Sequence, residues 1–229
     1  MTVERMLDAL AGGLIVSCQA YDGEPMQSPE VMTAVARSVV RAGARAVRMQ
    51  GVDDLVMATP VLDVPVIGLV KVGNADVFIT PTVDHVSAVC GAGADIVAVD
   101  GTNRPRPDRA RLKESVDLAH SLGKLVMADC GDLADVEFSL GQGVDLVGTT
   151  LAGYTQSRPR TDGPDLDLLR QVVLNFDVPV LAEGRIGTPQ EAAACLAAGA
   201  FAVVVGTAIT HPGRITRRFL EAIGERHIA

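Results

Sequence analysis

The chain has 229 residues, 48% of them apolar and only 3% aromatic, with no tryptophan and a formal net charge of −8. That length suits one (β/α)8 barrel, for which about 250 residues is typical. An acidic chain with no basic stretch interleaved with aromatics argues against nucleic-acid binding, and no apolar run approaches the ~18 residues of a membrane helix.

Met1 to Ala11 carries apolar residues at Val3, Met6, Leu7 and Leu10, a helical stripe that predicts a short helix plugging a barrel bottom. Its acidic residues set it apart from a secretory signal, so the expected location is the cytoplasm. Eight apolar runs follow, each reaching a polar group within a residue or two. They are GLIVSCQ to Gln19, AVRMQG around Arg48, PVIGLVK to Lys71, DIVAVD to Asp100, KLVMAD to Asp129, DLVGTT to Thr150, VPVLAEG around Glu183 and AVVVGT to Thr207. Short apolar runs bounded by turn signals read as strands buried on both faces. Between the first two, Ser28 is the expected N-cap of a helix with Pro29 in its first turn, ended by Gly43. The phrase AGA, strand, polar tip recurs in AGARAVRMQG, GAGADIVAVDGT and AAGAFAVVVGT, which marks an internal repeat of about 20 to 30 residues.

Eight strand–helix units predict an α/β fold: a single (β/α)8 TIM barrel over 1–229, with the short helix at about 1–11. The longest excursions, VGNADVFIT, GTNRPRPD and AGYTQSRPRTDGPD, all follow strand ends and so belong to the face where barrel active sites lie. Gln19, Arg48, Lys71, Asp129 and Glu183 are therefore expected to meet in one pocket. The cysteines Cys18, Cys90, Cys130 and Cys195 form no CxxC pair; they read as reduced, mostly buried thiols, with Cys18 and Cys130 near enough to strand ends to touch the pocket. His85 and His120 fall in helices and His227 at the C-terminus, so no metal site is expected.

The turns AEGRIGTP and VVGTAIT close strands seven and eight, where many barrels hold a phosphate on backbone N–H groups. Gly184, Gly187, Gly206 and Thr207 are the natural cradle. Lys71 and Glu183 interrupt apolar stretches, and an unneeded buried charge is costly. Strands three and seven face each other across an eight-strand ring, so these two groups suit removal and return of a proton on opposite faces of one carbon. Arg48 and Gln19 could then stabilise an enolate oxygen or hold hydroxyls, and Arg48 with the enclosed pocket could lower the Lys71 pKa. Three alternatives stand beside this: a structural ion pair of Lys71 with Asp100 or Asp129, a Schiff-base role for Lys71 in an aldolase or isomerase, and a non-catalytic sugar-phosphate sensor.

SCQA at Ser17–Ala20, GLVK ending at Lys71, ITPT from Ile79, GADIVAVDGTNRPRP from Gly93, MAD ending at Asp129, VGTTLAGYT from Val147, AEGRIGTP from Ala182 and VVGTAITHP from Val204 occur in this order. Together they resemble the N-acylmannosamine-6-phosphate 2-epimerase family. The resemblance implies a phosphate-binding barrel that epimerises N-acylmannosamine 6-phosphate to the glucosamine isomer at C2 in sialic-acid catabolism, without a cofactor. It also implies Lys71 and Glu183 as catalytic groups, Gln19, Arg48, Asp129 and Tyr154 as substrate contacts, and phosphate contacts at Gly184, Arg185, Gly187, Gly206 and Thr207. The family often has Arg where this chain has His211; either Arg214 compensates or the phosphate is held less tightly. Arg217, Arg218 and Glu221 read as a solvated helix face. The partner implied is a small phosphosugar, with neither nucleic acid nor membrane, and a homodimer is left open.

Overall fold

The computed structural model describes residues 2–73 and 75–224; Met1 and His227 lie outside them. The strands are β1 Leu14–Cys18, β2 Ala46–Gln50, β3 Val66–Leu69, β4 Ile96–Asp100, β5 Leu125–Asp129, β6 Leu146–Gly148, β7 Val180–Glu183 and β8 Ala202–Val205. All pair in parallel and in chain order, and the ring closes through β1 and β8, with Leu14 opposite Val203 and Val16 opposite Val205. This is a TIM barrel.

After α1 (Val3–Leu10), a helix follows each strand: α2 Pro29–Arg41, α3 Val52–Ala58, α4 Val83–Gly91, α5 Leu112–Ser121, α6 Leu133–Gly141, α7 Leu166–Asn175, α8 Pro189–Ala197, and α9 Thr207–Thr210 with α10 Pro212–Ala222. Several starts are written in the local sequence. The side chains of Ser28, Thr82, Asp132, Asp165 and Thr188 each accept from the N–H three residues on, satisfying a donor that the helix itself leaves free. Pro212 separates α9 from α10, since proline cannot donate to a continuing helix but suits a first turn.

Strand residues alternate between two cores, as the two-residue period requires. Val16, Cys18, Val47, Met49, Val97, Val99, Val126 and Ala128 face the helices. Ile15, Ile67, Leu69, Ile96, Ala98, Leu125, Met127, Leu146, Leu181 and Val204 fill the barrel, where Met6 and Leu10 of α1 join them. Leu10 is fully buried, which contributes roughly 2 kcal/mol of transfer free energy. Three strands stop two residues short of the sequence expectation, among them β8, which ends at Val205 before Thr207. β3 ends at Leu69, two residues before Lys71, and β6 at Gly148, two before Thr150; both chains turn there into loops over the barrel mouth. No helix among the described residues is long and apolar enough to cross a membrane.

Candidate active site

Continuing the inward-facing alternation one step above the aliphatic layer gives Gln19 beyond Ser17, Arg48 above Ala46, Lys71 beyond Leu69, Asp129 above Met127, Thr150 beyond Gly148 and Glu183 above Leu181. These side chains gather at the C-terminal mouth, and all of them but Asp129 line a cavity of about 750 Å³. Gly148 makes the rung possible: a Cβ there would lie 2.4 Å from the Met127 Cε and 3.0 Å from the Thr150 Oγ1. Beyond β3, Lys71 is pinned by an antiparallel bridge to Ile79. Thr80 secures that turn: its N–H donates to the Val70 carbonyl at 2.7 Å and its hydroxyl to the Ala98 carbonyl at 2.6 Å.

Arg48 is 2% exposed and bridges two carboxylates, donating from Nη1 to Glu183 Oε1 and from Nη2 to Asp129 Oδ2. Thr150 Oγ1 lies 2.6 Å from Asp129 Oδ1 and 3.0 Å from Glu183 Oε2. Thr149 fixes the Glu183 backbone, its hydroxyl accepting from the Glu183 N–H at 3.0 Å and donating to the Glu183 carbonyl at 2.9 Å. Across the ring, Lys71 Nζ donates to Gln19 Oε1 at 2.7 Å, and Gln19 Nε2 donates to Ser17 Oγ at 2.8 Å. A structural ion pair of Lys71 with Asp100 or Asp129 is not what forms: Arg104 takes Asp100 at 2.9 Å and Arg48 takes Asp129.

Lys71 opens onto the cavity, but the protein crowding its stem desolvates the ammonium; this, then the Arg48 charge, lowers its pKa against the opposing pull of Glu183 and Asp129. Asp129 moves the other way. Burial raises its carboxyl to about 6, with Glu183 and Asp100 adding to the rise and Arg48 and the Thr150 hydroxyl opposing it.

The placements of Asp129, Cys18 and Cys130 need correction, whereas at Gly187, Arg185 and His211 the structure adds a protein partner to a residue that lines the cavity. Asp129 is 0% exposed and stands behind Arg48 and Thr150 rather than on the cavity wall, because those two neighbours occupy its oxygens. Cys18 and Cys130 belong to the helix-side core and do not line the cavity; parity turns them outward, and burial pushes the Cys18 thiol up to about 12. The Gly187 N–H is taken by Glu191 Oε2 at 2.7 Å, which also closes the α8 cap. The Arg185 guanidinium is spent on the loop after β6, donating to the Ala152 carbonyl at 2.6 Å, the Gly163 carbonyl at 3.1 Å and the Thr161 hydroxyl at 2.9 Å. His211 is buried against Glu24, 3.4 Å away, and stacks on Tyr21; burial lowers its pKa, so it is neutral at pH 7.

Gly184, Arg185, Gly187, Gly206, Thr207, His211 and Arg214 all line the cavity, as does Tyr154, which is 54% exposed with Arg160 and Arg185 over its ring at 5.2 and 5.4 Å. Arg214 lies over the Tyr21 ring at 4.9 Å. The sequence reading overlooked Thr150, Arg160 and Arg218 as cavity residues. Alternation from Leu146 points Thr150 inward, and Arg218 sits one helical turn after Arg214, on the same face. Among the described residues no cluster of three His, Cys, Asp or Glu is placed to hold a metal ion.

A closed parallel barrel with its buried charges gathered under one polar mouth defines a TIM-barrel enzyme. Residues 32–225 match the family model described as "Putative N-acetylmannosamine-6-phosphate epimerase". The chain therefore belongs to the N-acetylmannosamine-6-phosphate epimerase family. A protein of Cutibacterium acnes described as "Putative N-acetylmannosamine-6-phosphate 2-epimerase" is 49% identical over 223 residues, covering 96% of this chain and 97% of the relative. One with the same description from Clostridioides difficile is 40% identical over 220 residues, covering 95% and 99%. The solved N-acetylmannosamine-6-phosphate 2-epimerase of Clostridium perfringens superposes with a TM-score of 0.91 at 39% identity, covering 95% of this chain and 96% of that one.

Proposed function

We propose that the chain interconverts N-acylmannosamine 6-phosphate and N-acylglucosamine 6-phosphate by moving the proton on C2 of the ring-opened sugar. The observation that carries this reading is the placement of Lys71 and Glu183 beyond β3 and on β7, half a ring apart over one cavity. A carbon held between them is within reach of a base on one face and an acid on the other. The C1 carbonyl makes the C2 proton acidic. Lys71, its pKa drawn down, takes that proton in the neutral form. Arg48 and Gln19 face the oxygens on which the enediolate charge develops, and Glu183 returns a proton from the far side. In the reverse direction the two exchange roles. Asp129 holds Arg48 rather than the sugar.

For the phosphate, the open N–H groups that begin α9 at Thr207 and Ala208 and the turns at Gly184 and Gly206 supply neutral donors. Arg214 and Arg218 supply the charge that neutral His211 does not. Arg185 serves at one remove, by holding the loop that carries Tyr154 at the cavity edge. A cytoplasmic setting fits the four free, buried thiols.

Proton NMR with N-acetylmannosamine 6-phosphate in D2O is the test. The expected result is the glucosamine epimer with deuterium at C2 and no adduct trapped by borohydride. A trapped adduct would replace the reading with Schiff-base chemistry, and binding without epimer or exchange would leave a sensor.

A further inference from the structure

Asp129 and Glu183 present four carboxylate oxygens, and each is contacted: two by Arg48 N–H groups and two by the single hydroxyl of Thr150. A hydroxyl owns one proton and cannot donate to both carboxylates at once. With Thr150 Oγ1 at 2.6 Å from Asp129 and 3.0 Å from Glu183, one of the two contacts is a hydrogen bond only if the carboxyl supplies the proton. The arrangement is thus built around one mobile proton. We propose that the Thr150 hydroxyl is a relay passing that proton between the sealed Asp129 carboxyl and Glu183, so that Glu183 is reloaded from the barrel wall while the sugar covers its cavity side.

The step balances without any co-reactant. Glu183 gives its proton to C2; the Thr150 O–H bond breaks as its proton passes to Glu183 Oε2, and the Asp129 O–H breaks as its proton passes to Thr150 Oγ1. The net result is one proton moved from Asp129 to Glu183, leaving Asp129 as a carboxylate against Arg48. When product leaves, Glu183 takes a proton from water and the chain runs backwards. Asp129 suits the store because it is 0% exposed. The charged groups facing it are Arg48 from β2, Asp100 from β4, Glu183 from β7 and the more distant Lys71 beyond β3, and burial lets Asp129 hold its proton to higher pH than an ordinary carboxyl. Thr150 reaches both carboxylates because Gly148 leaves the space beside it, where a Cβ would stand 3.0 Å from Thr150 Oγ1 and 3.4 Å from Asp129 Oδ1.

The relay rests on the C2 proton-transfer reading, and Thr150 acts in it as a positioning residue, through Glu183. Thr150→Val keeps the shape and removes the hydroxyl, whereas Thr150→Ser keeps the hydroxyl. The valine variant is expected to lose about ten- to a hundredfold in kcat, with KM within about twofold and the acid limb of its pH profile, set by Asp129, displaced; the serine variant restores most of kcat and the limb. An unchanged kcat in the valine variant, a serine variant as slow as the valine one, or a loss confined to KM would overturn the relay. Carbon-13 NMR of labelled carboxyls in the ligand-free protein reads the shared proton without turnover. Joint titration of Asp129 and Glu183 in the unaltered protein, separated by Thr150→Val or restored by Thr150→Ser, supports the relay. Independent titration in the unaltered protein refutes it. Failure of the unaltered protein to exchange C2 protons would count against the epimerase reading alone, since the carboxyl titration stands apart from it.

Discussion

At Lys71, burial and the Arg48 guanidinium pull the ammonium towards neutrality, while the two carboxylates across the floor resist. The productive form pairs a neutral lysine with a protonated acid, so it is most populated between the two titrations. The expected pH–rate profile is a bell with its acid limb near the Asp129 value of about 6 and its alkaline limb below the ordinary lysine value of 10.5. Below the first limb Lys71 and Asp129 are both protonated and the base is lost; above the second both have given up their protons and the acid is gone. Lys71→Ala and Glu183→Ala are each expected to cost roughly a hundredfold or more in kcat; near-normal turnover in either variant would remove that residue from the mechanism. Arg214→Ala should raise KM about tenfold, the loss of one charge-assisted bond, with kcat little changed, as steady-state kinetics would show. The floor residues were legible because alternation along a strand is a local property. The protein partners of Asp129 and Arg185 were not, because Thr150 and the loop at 152–163 are distant in the chain; Glu191, the partner of Gly187, lies only four residues on and was open to a local reading.

Among the elements, the strands and helix starts could be read from short-range chemistry, such as Ser28 capping α2 and Pro212 opening α10. Their ends were harder. PVIGLVK and DLVGTT read as continuous strands, yet each leaves the ladder two residues early, β4 bonding there to Ile79 and Thr80 and the Glu183 N–H of β7 to the Thr149 hydroxyl. The first turn of α3 holds a second titration. Asp54 is raised from 3.8 to about 6 by burial, then by Asp53 and by Glu30. A raised acid favours the protonated fold, so this contribution is full below pH 3.8 and is lost as pH rises through about 6. Asp54→Asn is therefore expected to raise Tm at pH 7 to 8 and to leave it unchanged near pH 4, by thermal unfolding at the two pH values. α10 buries no residue while Phe219 and the cap residue Ile223 are each 69% exposed, an apolar face that offers a contact for the homodimer the sequence left open. Light scattering should give a dimer mass that Phe219→Asp converts to a monomer.

Over the whole molecule, a ring closed by the β1–β8 pairing couples the two halves of the mouth. Gln19 and Arg48 come from its first strands, and Gly184, Gly206 and Arg214 from its last. A ligand that spans the mouth ties both sides of the closure and should stabilise the entire barrel. At about a hundred times Kd it adds about 2.7 kcal/mol, which for a domain of this size is a Tm rise of roughly 5 to 10 °C, readable by calorimetry with the phosphosugar. The barrel as a whole was legible because its repeat is periodic, whereas the distribution of charge over its surface was not. Four guanidiniums, of Arg160, Arg185, Arg214 and Arg218, rim one cavity of a molecule whose net charge is −8. An incoming phosphate dianion is repelled at long range and drawn in only over the last few ångströms. With a Debye length of about 30 Å in 10 mM salt, the repulsion reaches well beyond the mouth; at about 8 Å, near physiological ionic strength, it is largely erased while the rim still acts. Added salt should first quicken substrate capture and then slow it, giving an optimum ionic strength in a protein whose overall charge would suggest none.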